Sequence, residues 1–387
     1  MSKKTIMHKK RIDTEPIQYS YKKPSPNKRP SRRYDDDWEN MPLKSQKKTA
    51  VKNKKKRRKK RRMKFILFFE FLLIILLGIT AFVFFQISKI PTYEMDDNLI
   101  QENAFSDENI SNYTNILLFG VDSRANELTE ATRTDSIMVL SLNKKTKDIT
   151  LTSLYRDTYV YIDEHGYTKL NHAYAYGGPE LAINTVNKNF DLNIHDFVTV
   201  NFSAVSNMVD ALGGVEIDIT EEELDYVNAY GKDVAKINGH KYKKIPGTGL
   251  QTLNGDQATG YCRVRYTKGG DFTRAERQRT VLQAVVKKAK SSNITTLYSL
   301  LNEMLPQIYT SLSSTDILRY STGIFSYNIN QAEGFPYDNA TPTINGASVV
   351  VATSLSSNVS KMHEQLFGTA NYEPSETVQK YSNEIGY

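Results

Sequence analysis

The pattern of apolar and polar positions divides the chain into three parts. Residues 1–63 have almost no hydrophobic period; 65–85 is nearly unbroken apolar; beyond 110, short apolar runs alternate with amphipathic stretches. The first part cannot bury enough surface to offset chain entropy, so a disordered tail is predicted. The second is interrupted only by Glu70 and Thr80. About 23 helical residues reach about 35 Å, enough for a hydrocarbon core of about 30 Å, which predicts a transmembrane helix over 64–87.

In the third part the pattern predicts strands at 115–122, 135–142 and 149–154, the last two paired antiparallel across a polar turn at 143–147. Helices follow at 171–176 and 180–189, divided by Gly177-Gly178-Pro179. Then come a strand at 197–202, a helix at 203–212, a strand at 215–219 and a short helix at 252–260. A strand is expected at 261–266, helices at 272–290, 295–303, 314–323 and 357–366, and a late strand at 348–352. Interleaved strands and helices predict an α/β class, a mixed central sheet covered by helices. The domain is expected at 111–370, after a linker at 88–110 and before a tail at 371–387.

Charge changes the picture at both ends. The chain of 387 residues carries +8, yet residues 1–64 hold 25 Lys and Arg against 6 Asp and Glu, so the rest is acidic. Positions 54–62 are basic throughout. A basic cluster just before an apolar span predicts a cytoplasmic N-terminus and an extracellular domain. Its contact with anionic lipid contributes about 1 kcal/mol per nearby charge. Topology thus accounts for this run, and a nucleic-acid partner is not expected. Glu70, near the basic end, can snorkel toward the headgroups. The run is too long and its leader too extended for a cleavable signal peptide. The single cysteine, Cys262, excludes an intramolecular disulfide and reads as a buried thiol.

Candidate chemistry lies in the arginines. After residue 87 there are nine, and only Arg319 falls outside three short motifs. If 261–266 is extended, Arg263 and Arg265 share a face; Asp271 is a good N-cap; Arg274, Arg277 and Gln278 then lie on one helical stripe. Four guanidiniums would converge, which costs energy unless an anion sits between them, and the arginine fork suits phosphate. The alternative is a solvated basic helix face. Asp122 and Asp135 flank a loop with Arg124 and Arg133, and two carboxylates beside a phosphate describe a Mg²⁺ site. Alternatively, Asp122 caps a turn and Asp135 pairs with Arg133. The chain has no phosphate-loop, zinc-protease or nucleophile-elbow motif, and its histidines lack ligand spacing.

Seven ordered segments carry a resemblance. They are Leu118-Phe-Gly-Val-Asp122-Ser-Arg124, Arg133-Thr-Asp135-Ser, Ser153-Leu-Tyr-Arg156-Asp157, Lys169-Leu-Asn-His-Ala-Tyr, Leu212-Gly-Gly-Val, Leu253-Asn-Gly and Gly270-Asp271-Phe-Thr-Arg274-Ala-Glu-Arg277-Gln278. Together, from about 112 to 287, they resemble the LytR-CpsA-Psr family of Gram-positive cell-wall enzymes. The resemblance implies a phosphotransferase moving a glycopolymer from a polyprenyl-pyrophosphate carrier to peptidoglycan. It implies Mg²⁺ on Asp122 and Asp135. Arg133, Arg156, Arg263, Arg265, Arg274 and Arg277 would clamp the pyrophosphate, with Asp271 and Gln278 in support. Asp135 or Asp271 is the candidate base. Val205, Met208, Val209, Val281 and Leu282 could line a tunnel for the lipid, or be ordinary core. Two positions depart from the pattern: Tyr155 stands where many members have Pro, and Arg279 where a second Gln is frequent. Two alternatives keep the same site, a polyprenyl-pyrophosphatase and a non-catalytic membrane regulator.

Overall fold

The structure is a computed structural model and describes residues 45–87, 92–104, 107–121, 128, 132–304 and 307–386. The chain divides into two units, 1–72 and 73–387. Helix α1 (Ser45–Ile87) carries both the basic run and the apolar run. Phe65, Ile66, Leu67, Phe68 and Phe69 are all more than half exposed on it. Among the described residues no helix is long and apolar enough to cross a membrane. The side chains of Ile75, Leu76, Phe82, Val83 and Phe84, within the apolar run, lie outside the described set.

The body is built on strands β1 (Tyr113–Val121), β2 (Thr134–Asn143), β3 (Asp148–Leu154), β4 (Tyr159–Ile162), β5 (Gly166–Lys169), β6 (Asp196–Asn201), β7 (Val215–Ile219), β8 (Gly249–Leu253), β9 (Ile308–Thr310) and β10 (Asn328–Phe335). Its helices are α2 (Asn171–Phe190), α3 (Phe202–Ala211), α4 (Glu221–Ile237), α5 (Gly255–Arg263), α6 (Asp271–Ser291), α7 (Ile294–Met304), α8 (Ser314–Thr322), α9 (Leu355–Phe367) and α10 (Glu376–Ile385). A six-stranded sheet runs β10-β3-β2-β1-β6-β9. It is mixed: β1–β2, β2–β3 and β6–β9 are antiparallel, β1–β6 and β3–β10 parallel. The α/β class with a mixed sheet and helical cover is as expected.

One face of the sheet, through Leu117, Phe119, Ile137, Val139 and Leu154, packs against α2, α9 and α10. Each large apolar side chain fully buried there contributes about 1.5–3 kcal/mol. The opposite face, through Leu118, Leu140, Leu142 and Leu151, meets Leu282 of α6. A second core, drawn from α3, β7, α4, α5 and α6, lies around Val209, Val227, Tyr261 and Val281. Within it α4 and α5 approach closely, since a Cβ at Gly260 would stand 2.5 Å from the Gly231 nitrogen. The predicted break at 177–179 is real: α2 bends where Gly177 and Gly178 leave helical geometry.

Three local expectations change. The strand foreseen at 261–266 is instead the end of α5 and an irregular link. Asn254 and Gln257 form a capping box that commits the segment to helix, and Tyr261 and Cys262 are both buried, as successive strand residues facing opposite ways would not both need to be. The described part of the linker docks: Tyr93 packs edge-on against Phe197 and Tyr309, and the buried Asp107 accepts from His363 Nδ1 at 2.7 Å. The expected C-terminal tail contains α10, whose Val378 and Tyr381 enter the core.

A ring of arginine and aspartate beside an apolar cavity

The β2–β3 register sets Ile137 opposite Leu154. Two residues beyond that pair, Asp135 and Arg156 meet at the sheet end, Arg156 Nη1 donating to Asp135 Oδ1 at 2.5 Å. Helix α6 brings its first turn to the same place. Arg156 Nε donates to Asp271 Oδ2 at 3.0 Å, Arg274 Nη2 lies 3.1 Å from Asp135 Oδ2, and Arg274 Nη1 lies 3.4 Å from Asp271 Oδ1. The four side chains close a ring of alternating charge. The anions between the arginines are therefore carboxylates of the chain itself. Asp135 pairs with Arg156 and Arg274, not locally with Arg133.

Burial works against the charge of Arg156, but Asp271, Asp135 and Asp157 outweigh it and hold its pKa above the usual arginine value. Arg274 is 3% exposed, and its Nε has no hydrogen-bond partner. Gln278, one turn on, likewise has a buried amide nitrogen without a partner. Both border a small recess with Ser153, Tyr155, Asp135 and Asp271.

The other candidates scatter. Arg277 is buried and committed to the protein: Nε donates to Glu223 at 2.7 Å, Nη1 to the Val264 carbonyl at 3.2 Å and Nη2 to Thr267 at 2.7 Å. It stands outside the ring. Arg263 is half-buried, 5.7 Å over the Phe202 ring and 5.9 Å over the Tyr230 ring. Arg265 and Arg133 are exposed. With burial, Arg133 and Lys169 depress the His172 pKa, which places Arg133 near the start of α2. Asp122 and Arg124 lie outside the described residues. Among the described residues no group of three or more His, Cys, Asp or Glu is placed to hold a metal.

Next to the ring is an apolar cavity of about 280 Å³ between the sheet and helices α3 and α6. Val205, Met208, Val281 and Leu282 line it as expected, whereas Val209 is fully buried in the core behind. Gln278 and Ser136 border both the cavity and the charged recess, so one end of the cavity is polar. Cys262 also lines it, and burial pushes its thiol up to about 12, which leaves no thiolate for nucleophilic work. The arrangement accommodates a ligand with an anionic head and an apolar tail. Sequence reasoning missed Ser153, Ser136 and Glu223, which carry no charge pattern or lie far along the chain from their partners.

Residues 82–366 match the LytR_cpsA_psr family. The chain is 33% identical over 254 residues, 64% of its length and 77% of the other's, to the polyisoprenyl-teichoic acid–peptidoglycan teichoic acid transferase TagU of Enterococcus faecalis. It is 32% identical over 231 residues, 58% of its length and 69% of the other's, to the corresponding TagT of Bacillus subtilis. Among solved structures it resembles the family protein YwtF (TagT) with bound octaprenyl pyrophosphate lipid, with a TM-score of 0.50, 25% identity, and coverage of 70% of this chain and 98% of that one.

Proposed function

Because the chain belongs to the LytR-CpsA-Psr family, we propose that it is a phosphotransferase moving a glycopolymer from a polyprenyl-pyrophosphate carrier to a peptidoglycan hydroxyl. The observation that carries this reading is the junction of a charged ring with an apolar cavity, head and tail sites meeting at Gln278 and Ser136. The transferase names of the relatives, and the prenyl pyrophosphate held by one structural neighbour, support it.

In this reading the acceptor oxygen attacks the phosphorus that carries the glycan. The bond to the bridging oxygen breaks, and its electron pair leaves with polyprenyl phosphate. The acceptor proton passes to a carboxylate, Asp135 or Asp271, of which Asp271 is the more exposed at 37% against 19%. Arg156 and Arg274 are fixed before the substrate arrives, which suits a step dominated by positioning and fixed positive charge. Arg263, at the cavity side, and the exposed Arg133 and Arg265 would engage the head from outside the ring.

The charge balance of the ring fits a divalent cation. Two arginines and two aspartates cancel, so the ring alone would leave the charge of a pyrophosphate uncompensated. Mg²⁺ on Asp135, together with Asp122, would supply positive charge to the phosphate oxygens. For the exposed apolar run of α1 we propose a membrane anchor, with the basic run cytoplasmic and the body outside.

The test incubates the full-length chain with polyprenyl-pyrophosphate-linked glycan, with and without peptidoglycan oligomers, in Mg²⁺ or EDTA. The expected result is glycan covalently joined to peptidoglycan with release of polyprenyl phosphate, and no turnover in EDTA. Equal glycan release without acceptor would make the protein a pyrophosphatase. Undiminished turnover in EDTA would remove the metal.

A further inference from the structure

The recess inside the ring measures about 10 Å³, room for about one water-sized atom. Three polar atoms on its lining residues are buried and have no hydrogen-bond partner: Ser153 Oγ, Arg274 Nε and Gln278 Nε2. Their residues are 2%, 3% and 9% exposed. The guanidinium nitrogen and the amide nitrogen can only donate, and the serine hydroxyl can rotate to donate. Buried donors without acceptors are costly, and three on residues that wall one small recess call for a complement there, a single oxygen rich in lone pairs. A water oxygen has two lone pairs and so can accept only two of the three bonds. A non-bridging phosphate oxygen accepts all three bonds and brings no proton.

We infer that the recess is a seat for one non-bridging oxygen of the pyrophosphate, and that Ser153 is a substrate-binding residue. The inference rests on the pyrophosphate reading of the site. Ser153 lies on an interior strand, opposite Met138 on β2 and Gly334 on β10, so the strands on both sides fix its backbone. The seat would favour a proton-free anionic oxygen over the hydroxyl of a neutral sugar, which brings a proton with it.

Affinity for inorganic pyrophosphate in Mg²⁺ is measured calorimetrically on the full-length chain in detergent, for the parent, Ser153→Ala and Ser141→Ala. Ser141 is the control, because its hydroxyl is also buried in β2 without a partner but does not line the recess. Ser153→Ala removes an unsatisfied buried hydroxyl, so without pyrophosphate it should melt at or above the parent. Its affinity should fall about tenfold or more, the loss of one hydrogen bond to a charged group. Ser141→Ala should bind as the parent does. Parental affinity in Ser153→Ala would overturn the seat and leave the pyrophosphate reading standing. Equal weakening in both variants would also overturn it, by tracing the loss to the sheet as a whole. A parent that binds no pyrophosphate would overturn both readings.

Discussion

Arg274 and Arg277 are three residues apart on the same stripe of α6, and the structure gives them opposite work. Arg274 faces the ring with one nitrogen unpartnered, while all three nitrogens of Arg277 donate within the protein. Spacing along the helix could not separate them. The difference is set by Glu223, 54 residues earlier on another helix. Removing one member of a buried ion pair leaves the other uncompensated, so Arg277→Ala should cost about 3–5 kcal/mol in urea unfolding. Among its causes, burial raises the Glu223 pKa, but the Thr220 backbone hydrogen bond and Arg277 outweigh it, so the net shift is downward. The stability from this carboxylate is therefore present above its unfolded value of about 4.3 and is lost as pH falls through the lower folded value. The gap between parent and Arg277→Ala should accordingly narrow in acid. Arg274→Lys keeps the charge but loses the fork, and should abolish most of the thermal shift given by pyrophosphate. An Arg277→Ala chain as stable as the parent, or an undiminished shift in Arg274→Lys, would reverse these assignments.

At the scale of elements, the site depends on how the end of β3 meets the start of α6. Arg156 and Asp271 form the ion pair across that junction, and their sequence neighbours repeat it in apolar form: Tyr155 packs edge-on against Phe272 with ring centres 4.5 Å apart. The tyrosine hydroxyl fills the space over Gly334, where a Cβ would stand 2.2 Å from it. Arg279, two turns along α6, is close enough that its charge and Tyr155 affect each other's ionisation. The two departures from the family pattern, noted separately in the sequence, thus share one locality. A double-mutant cycle between Tyr155→Ala and Arg279→Gln should show a coupling of about 0.5 kcal/mol or more, whereas strict additivity would mean the two positions are independent.

Strands β1 to β3 and the break in α2 were legible because local period and glycine placement decide them. Helix α4 was missed although Thr220 and Glu223 form the capping box that announces it. The link after α5 was misread because the alternation of Arg263 and Arg265 imitates a strand while the capping box at Asn254 imposes a helix.

For the whole molecule, the proposed anchor makes a plain prediction. Protease added to intact protoplasts should remove the body and leave the basic N-terminal region protected, and the opposite pattern would invert the topology. What no sequence pattern disclosed is the closure of the ring, which requires β2, β3 and α6 to arrive together. Its consequence concerns what the protein ignores. An open cluster of bare guanidiniums would be occupied by whichever polyanion drifted past. A ring whose charges already cancel offers such passers-by little attraction. A ligand that arrives with a counter-cation is favoured at such a ring, and an apolar tail in the adjoining cavity would add to its hold. In the proposed role the aspartates would then act as a doorkeeper, keeping the carrier lipid's place free of polyanions that bring no counter-cation.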